Sequence, residues 1–212
     1  IVDKGYRYND IAVITGDMDG YYRYIEEEFS KNNIPAFIDH KHNIASNPFV
    51  DGIKAAIEIV EKDFSYETVF HLIRLGFLPI DREAADIMEN YVLQSGRRGF
   101  KSYGRLWEKA YKGMTAEELD MVNQAREKLV EIIRPLREEL KKKKATVREY
   151  TKAVYQFVQA NNMQRQIDDY RIEFQNQGEI SRAKEYEQVY VTIITLLDRI
   201  VELMGDEVLT IK

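Results

Sequence analysis

The sequence predicts a mainly α-helical fold with a small α/β part at its beginning. Two observations carry that prediction. Within the first forty residues two short β-rich apolar runs flank one helical stretch, whereas from about residue 47 onward the apolar residues recur at three- and four-residue spacing. Composition agrees: 44% of the 212 residues are hydrophobic and 32% charged, which suits a globular helical chain and excludes general disorder. The length allows one or two domains, at roughly 100–200 residues each.

Ile11 to Thr15 is a continuous apolar run ended by Gly16 and Asp17, and it reads as a buried strand. Tyr21, Tyr24, Ile25, Glu28 and Phe29 follow at helical spacing, and Asn32-Asn33 stops that helix. Ile34 to Ile38 reads as a second strand, with Pro35 at an edge or strand start. Strand, helix, strand is a βαβ unit of a parallel sheet. Two strands alone are marginal, so their partners are expected elsewhere in a longer chain. Asn47 then caps a helix over Phe49–Glu61, with Pro48 at its first position. Ser65 opens a helix through Arg74, closed by Gly76, and Asp81 caps one running to about Gln94, closed by Ser95-Gly96. Thr115 with Glu118, and Thr146 with Glu149, are capping boxes, and Pro135 is expected to kink or break the helix that the first one opens. The last helix, about Glu179–Met204, carries a stripe that includes Tyr186, Val189, Tyr190, Ile193, Leu196, Leu197, Ile200, Leu203 and Met204. That stripe is broad enough to bury against a bundle.

Several chemistries have no support in these residues. Without Cys there is no disulfide, thiolate zinc site or iron–sulfur ligation. The motifs GxxxxGK[ST], HExxH and GxSxG are absent. His40 and His42 flank Lys41 and read as solvated loop histidines, with His71 far along the chain. Asp17, Asp19 and Asp39 follow the strand ends, where α/β sheets place ligand loops. Such carboxylates can hold Mg²⁺, but the reading preferred is that of turn residues bonding their own backbone. No apolar run approaches the ~18 residues that span a membrane, and no leader follows Ile1, so the expectation is a cytoplasmic piece of a longer protein.

The net charge of −5 confines any nucleic-acid binding to local patches. One patch stands out. Between Tyr91 and Lys112 lie Arg97, Arg98, Lys101, Arg105, Lys109 and Lys112 against Glu108 alone, interleaved with Phe100, Tyr103, Trp107 and Tyr111. Cations for phosphates and aromatics for base stacking suit a nucleic-acid surface, and Arg97, Arg98, Lys101, Arg105 and Trp107 are its candidate residues. The same pattern also fits Phe100 and Trp107 packing into the core beneath solvated cations. A second basic zone, Lys141–Lys144 with Arg134, Arg137, Arg148 and Lys152, is offset by Glu138, Glu139 and Glu149 and reads as an ordinary solvated face.

Tyr8 to Gly16, Ile34 to Asp39, Asn47 to Phe49 and Glu89 to Leu93 followed by Gly96, in that order and spacing, resemble the AddB (RexB) family. These are the B subunits of the AddAB (RexAB) helicase–nucleases, the counterpart of RecBCD. The resemblance covers essentially the whole chain as an internal slice. It implies that residues 1–46 are the start of a second RecA-like helicase domain and residues 47–212 an all-helical insertion. In active relatives an arginine that contacts the terminal phosphate of the nucleotide follows the first strand, where this chain has Gly16 or Asp17. The resemblance therefore implies a non-catalytic helicase-like segment. It would guide or recognise single-stranded DNA, including the recombination hotspot Chi, during recombinational repair of double-strand breaks. The alternative is a helical scaffold that docks the partner AddA (RexA) subunit of the heterodimer without touching DNA. No cofactor is expected within these residues. ATP with Mg²⁺ and an iron–sulfur cluster are implied for the parent subunit outside them, with single- and double-stranded DNA as partners and no membrane.

Overall fold

Polar caps set the ends of most helices. In the computed structural model, which describes residues 5–38 and 44–209, the Asp17 carboxylate accepts from the Gly20 amide to open α1 (Met18–Lys31). Asn47 caps α2 (Pro48–Glu61), Ser65 caps α3 (Tyr66–Arg74) and Asp81 caps α4 (Arg82–Ser95). Each cap satisfies N–H groups that the first helical turn leaves without partners. After the short α5 (Phe100–Tyr103), full capping boxes at Thr115 and Thr146 open α6 (Ala116–Leu140) and α7 (Val147–Ala160). The chain continues through α8 (Met163–Asn176) and α9 (Ile180–Met204). The described residues thus form a mainly α-helical fold with a small strand-containing part.

The strand readings need correction. Neither 11–15 nor 34–38 enters a ladder among the described residues; both run as irregular, largely exposed chain, with Ile14 94% and Phe37 88% exposed. A lone extended segment leaves its amides to solvent, so without neighbouring strands nothing holds it in a sheet. The sheet that the described residues do contain is antiparallel, not parallel. It pairs β1 (Ala145–Thr146) with β2 (Val208–Leu209), tying the start of α7 to the end of α9. Asp39, His40 and His42 lie outside the described residues.

Two compact units divide the chain, Ile1–Asn43 and Ile44–Lys212. In the first, α1 fully buries none of its residues. In the second, α6 packs against α4, α7, α2 and α5, while α8 and α9 form a hairpin that joins α7 and α2. Phe49, Ile59, Leu72, Met88, Leu129 and Ile133 form the centre of one contiguous core. Each such side chain removed from water contributes about 1.5–3 kcal/mol. Gly52 lets α2 approach closely, since a Cβ there would sit 3.0 Å from both Phe77 and Met163.

Helix α6 runs unbroken through Pro135. The ring sits on the exposed side, so the Glu131 carbonyl that loses its usual N–H partner can bond water instead. On α9 the predicted stripe is only partly used: Val189 and Ile193 are buried, but Leu196 is 51% and Leu203 81% exposed.

Candidate nucleic-acid surface

The segment linking α4 to α6 carries the sequence-predicted cations, and two turns hold it in place. Gly96 ends α4 in the left-handed region (φ 63°), a conformation glycine adopts without a Cβ clash. The Gly99 amide then donates to the Phe64 carbonyl (3.4 Å) and the Phe100 amide to the Asp63 carboxylate (3.3 Å). Phe64 packs edge-on against Phe100 and tilted against Tyr103, both at 5.3 Å between ring centroids. The start of the segment is thereby anchored to the α2–α3 corner.

Trp107 is the second anchor. It is fully buried, stacked on Tyr91 at 5.0 Å and 10°, with Tyr103 edge-on at 5.1 Å. Its indole N–H donates to the Ser102 carbonyl (2.9 Å). Its backbone is clamped by Asn123, whose Oδ1 accepts from the Trp107 amide and whose Nδ2 donates to the Trp107 carbonyl, both at 2.9 Å. Tyr91 completes the anchor by donating to the Lys109 carbonyl (2.9 Å). Base stacking by Trp107 is therefore corrected: one ring face lies on Tyr91, and the ring is enclosed. Core packing is its role.

The predicted cations separate accordingly. Arg98, Lys101 and Arg105 are exposed, and among the described residues none makes an ion pair. Arg97 is half-buried, with its guanidinium carbon 5.9 Å from the Trp107 ring centroid, a cation–π contact that draws it toward the core. The open surface thus offers charge without an aromatic platform from Trp107.

Two polar residues of this region were not singled out from the sequence. Asn123 and Arg126 are both buried on α6, among Val122, Ala125 and Leu129. Arg126 donates to the Asn123 side chain (3.1 Å) and to the Tyr103 carbonyl, and its guanidinium carbon also lies 5.9 Å from the Trp107 ring centroid. Burial pushes its pKa down from the ordinary arginine value. The available signal was a polar pair at i, i+3 inside an apolar stripe. Beside Arg126 runs an open groove of about 640 Å³ along α6, bordered by Asp120, Glu127, Glu131 and Glu138, which outnumber the Arg126 and Arg134 guanidiniums of its lining. Those carboxylates repel phosphate, so the groove does not extend the cationic surface.

The remaining candidates resolve simply. Asp17 is a helix cap, in keeping with the preferred turn reading. His71 faces Asp51, Nε2 to Oδ2 at 3.2 Å. Among the described residues no group of three or more His, Cys, Asp or Glu is placed to hold a metal ion, and no helix is long and apolar enough to cross a membrane.

Fold and surface together define a mainly helical module that exposes Arg98, Lys101 and Arg105 without ion pairs among the described residues. No protein-family model matches the chain. It is 37% identical over 213 residues to the B subunit of the ATP-dependent helicase/deoxyribonuclease of Lachnoclostridium phytofermentans, and 37% identical over 218 residues to that of Clostridium botulinum strain Loch Maree. The Clostridioides difficile protein of the same name is 34% identical over 218 residues. Each comparison covers 99% of this chain but 19% of the relative, so the chain spans about a fifth of the length of the curated relatives it matches. This chain is homologous, essentially end to end, to one segment of the AddB family.

Proposed function

We propose that this chain is a non-catalytic, helicase-like segment of a helicase–nuclease B subunit, and that it guides or reads single-stranded DNA during recombinational repair. The observation that carries the reading is the exposed set Arg98, Lys101 and Arg105, which makes no ion pair among the described residues, held on a segment pinned at Phe64 and Trp107 in a homologue of proteins named as helicase/deoxyribonuclease subunits. Cations fixed on a rigid base release counterions from a phosphate backbone with little ordering cost. Residues 1–46 are read as the start of a second RecA-like domain, whose segments 11–15 and 34–38 pair with strands from the rest of the parent protein; residues 47–212 are its helical insertion. Chi is the sequence it would recognise, and the A subunit of the heterodimer is its partner. ATP with Mg²⁺ and the iron–sulfur cluster are assigned to other parts of the parent protein.

The test is the double reversal Arg98→Glu/Lys101→Glu in the complete B subunit together with its A subunit. Both residues are exposed, so folding and assembly are expected to survive. Single-strand binding is expected to weaken, with a shallower salt dependence, by roughly 0.7 in slope per lost phosphate contact. A variant that assembles and processes ends like the parent, or that fails only in assembly, would instead favour the scaffold reading.

A further inference from the structure

The two basic zones, separate in sequence, meet in space. Arg137, in the last turn of α6, lays its guanidinium over the Phe100 ring, 4.1 Å from the centroid, and pairs with Asp63 at 3.8 Å. Asp63 in turn accepts from the Phe100 amide (3.3 Å), so Phe100 is held from two sides. Lys101 follows Phe100 directly, and Lys141 lies one helical turn beyond Arg137, about 6 Å along the axis. Lys142, Lys143 and Lys144 continue into the loop before β1, all exposed.

The charge count of this joined region differs from that of either zone read alone. Of the acids near Lys141–Lys144, Glu139 pairs with Lys142 at 2.6 Å, Glu149 accepts from the Thr146 amide, and Glu138 lines the groove along α6. The joined region therefore holds Arg97, Arg98, Lys101, Arg137 and Lys141–Lys144 against Asp63, Glu138, Glu139 and Glu149, so cations still outnumber carboxylates. The half-charge at the C-terminal end of α6 is negative, but four lysines outweigh it. Arg98, Lys101, Lys141, Lys143 and Lys144 make no ion pair among the described residues. The acidic border of the α6 groove limits the surface on one side.

We propose that residues 97–101 and Lys141–Lys144, joined through the Arg137–Phe100 contact, form one continuous phosphate-binding surface for single-stranded DNA. The inference rests on the single-strand reading above and adds a second set of contacts to it. Lys141, Lys143 and Lys144 bind phosphodiesters, whereas Arg137 is the positioning residue that sets the two parts side by side.

The experiment measures binding of a labelled oligothymidylate to the 212-residue chain over a salt series, for the parent chain and two variants. One variant is Lys141→Glu/Lys143→Glu/Lys144→Glu, backed by the milder Gln triple should the reversal disturb the fold by circular dichroism. The other is Arg98→Glu/Lys101→Glu. Both are expected to bind at least tenfold more weakly at low salt. The lysine triple is also expected to flatten the slope of log K against log salt by about 2, at roughly 0.7 per contact. A lysine triple that matches the parent in affinity and slope, while the Arg98/Lys101 variant is weakened, overturns this inference and leaves the single-strand reading intact. Parent-level binding by both variants, or no binding by the parent chain, overturns both.

Discussion

Tyr103 and Trp107 sit in ring contact, yet only one of them has its polar atom satisfied. The Trp107 N–H reaches the Ser102 carbonyl, whereas the buried Tyr103 hydroxyl has no hydrogen-bond partner among the described residues. Burial accordingly raises the Tyr103 pKa well above the ordinary phenol value. Desolvating a hydroxyl without compensation costs more than the group returns. Tyr103→Phe is therefore expected to raise stability by about 1 kcal/mol, read as a higher urea midpoint at unchanged slope. A lower midpoint would mean that the hydroxyl has a partner the described residues do not include. At this scale the sequence was ambiguous for a physical reason. An aromatic among cations has the same local pattern whether its ring faces a base or a core; here Tyr91 and Asn123, from α4 and α6, decide it.

Among the elements, the helix starts were the most legible feature, because a cap is a bond between residues two or three apart. Asn47, Ser65, Asp81, Thr115 and Thr146 all cap as their spacing predicts. The box at Thr146 also makes α7 sensitive to pH. Hydrogen bonds from the Thr146 amide, first, and the Thr146 hydroxyl, second, hold the Glu149 carboxyl below the ordinary glutamate range. A carboxylate depressed in the folded state stabilises fully above its unfolded pKa, and that contribution fades as pH falls through the folded value. The stability gap between the parent chain and Glu149→Gln is thus expected to be present at neutral pH and to close in acid, as followed by urea midpoints across a pH series. A gap that does not change with pH would refute the assignment. Strand readings fared worse than caps, since a ladder depends on partners distant in sequence, and 11–15 and 34–38 find none among the described residues.

On the scale of the whole molecule, the buried residues of the contiguous core, among the described residues, lie between Phe49 and Ile193, inside the second compact unit. Residues 44–212 expressed alone are expected to unfold in one cooperative thermal transition, with matching near- and far-ultraviolet circular dichroism. Loss of near-ultraviolet signal with retained helicity would show that this core needs the first 43 residues. The joined basic surface belongs to this scale too. Lys141–Lys144 read as an ordinary solvated face because their acids are close in sequence, and only packing shows that Glu139 pairs with Lys142 alone among them while Arg137 settles on Phe100. By itself the sequence determined the helical class, the helix starts and the family resemblance, all of which depend on neighbours along the chain or on order and spacing. Tertiary structure alone decided that Trp107 is enclosed, that Arg126 is buried, and that Arg137, near one run of cations, settles on Phe100 in the other. Burial and charge proximity depend on distance through space, and no local pattern records it.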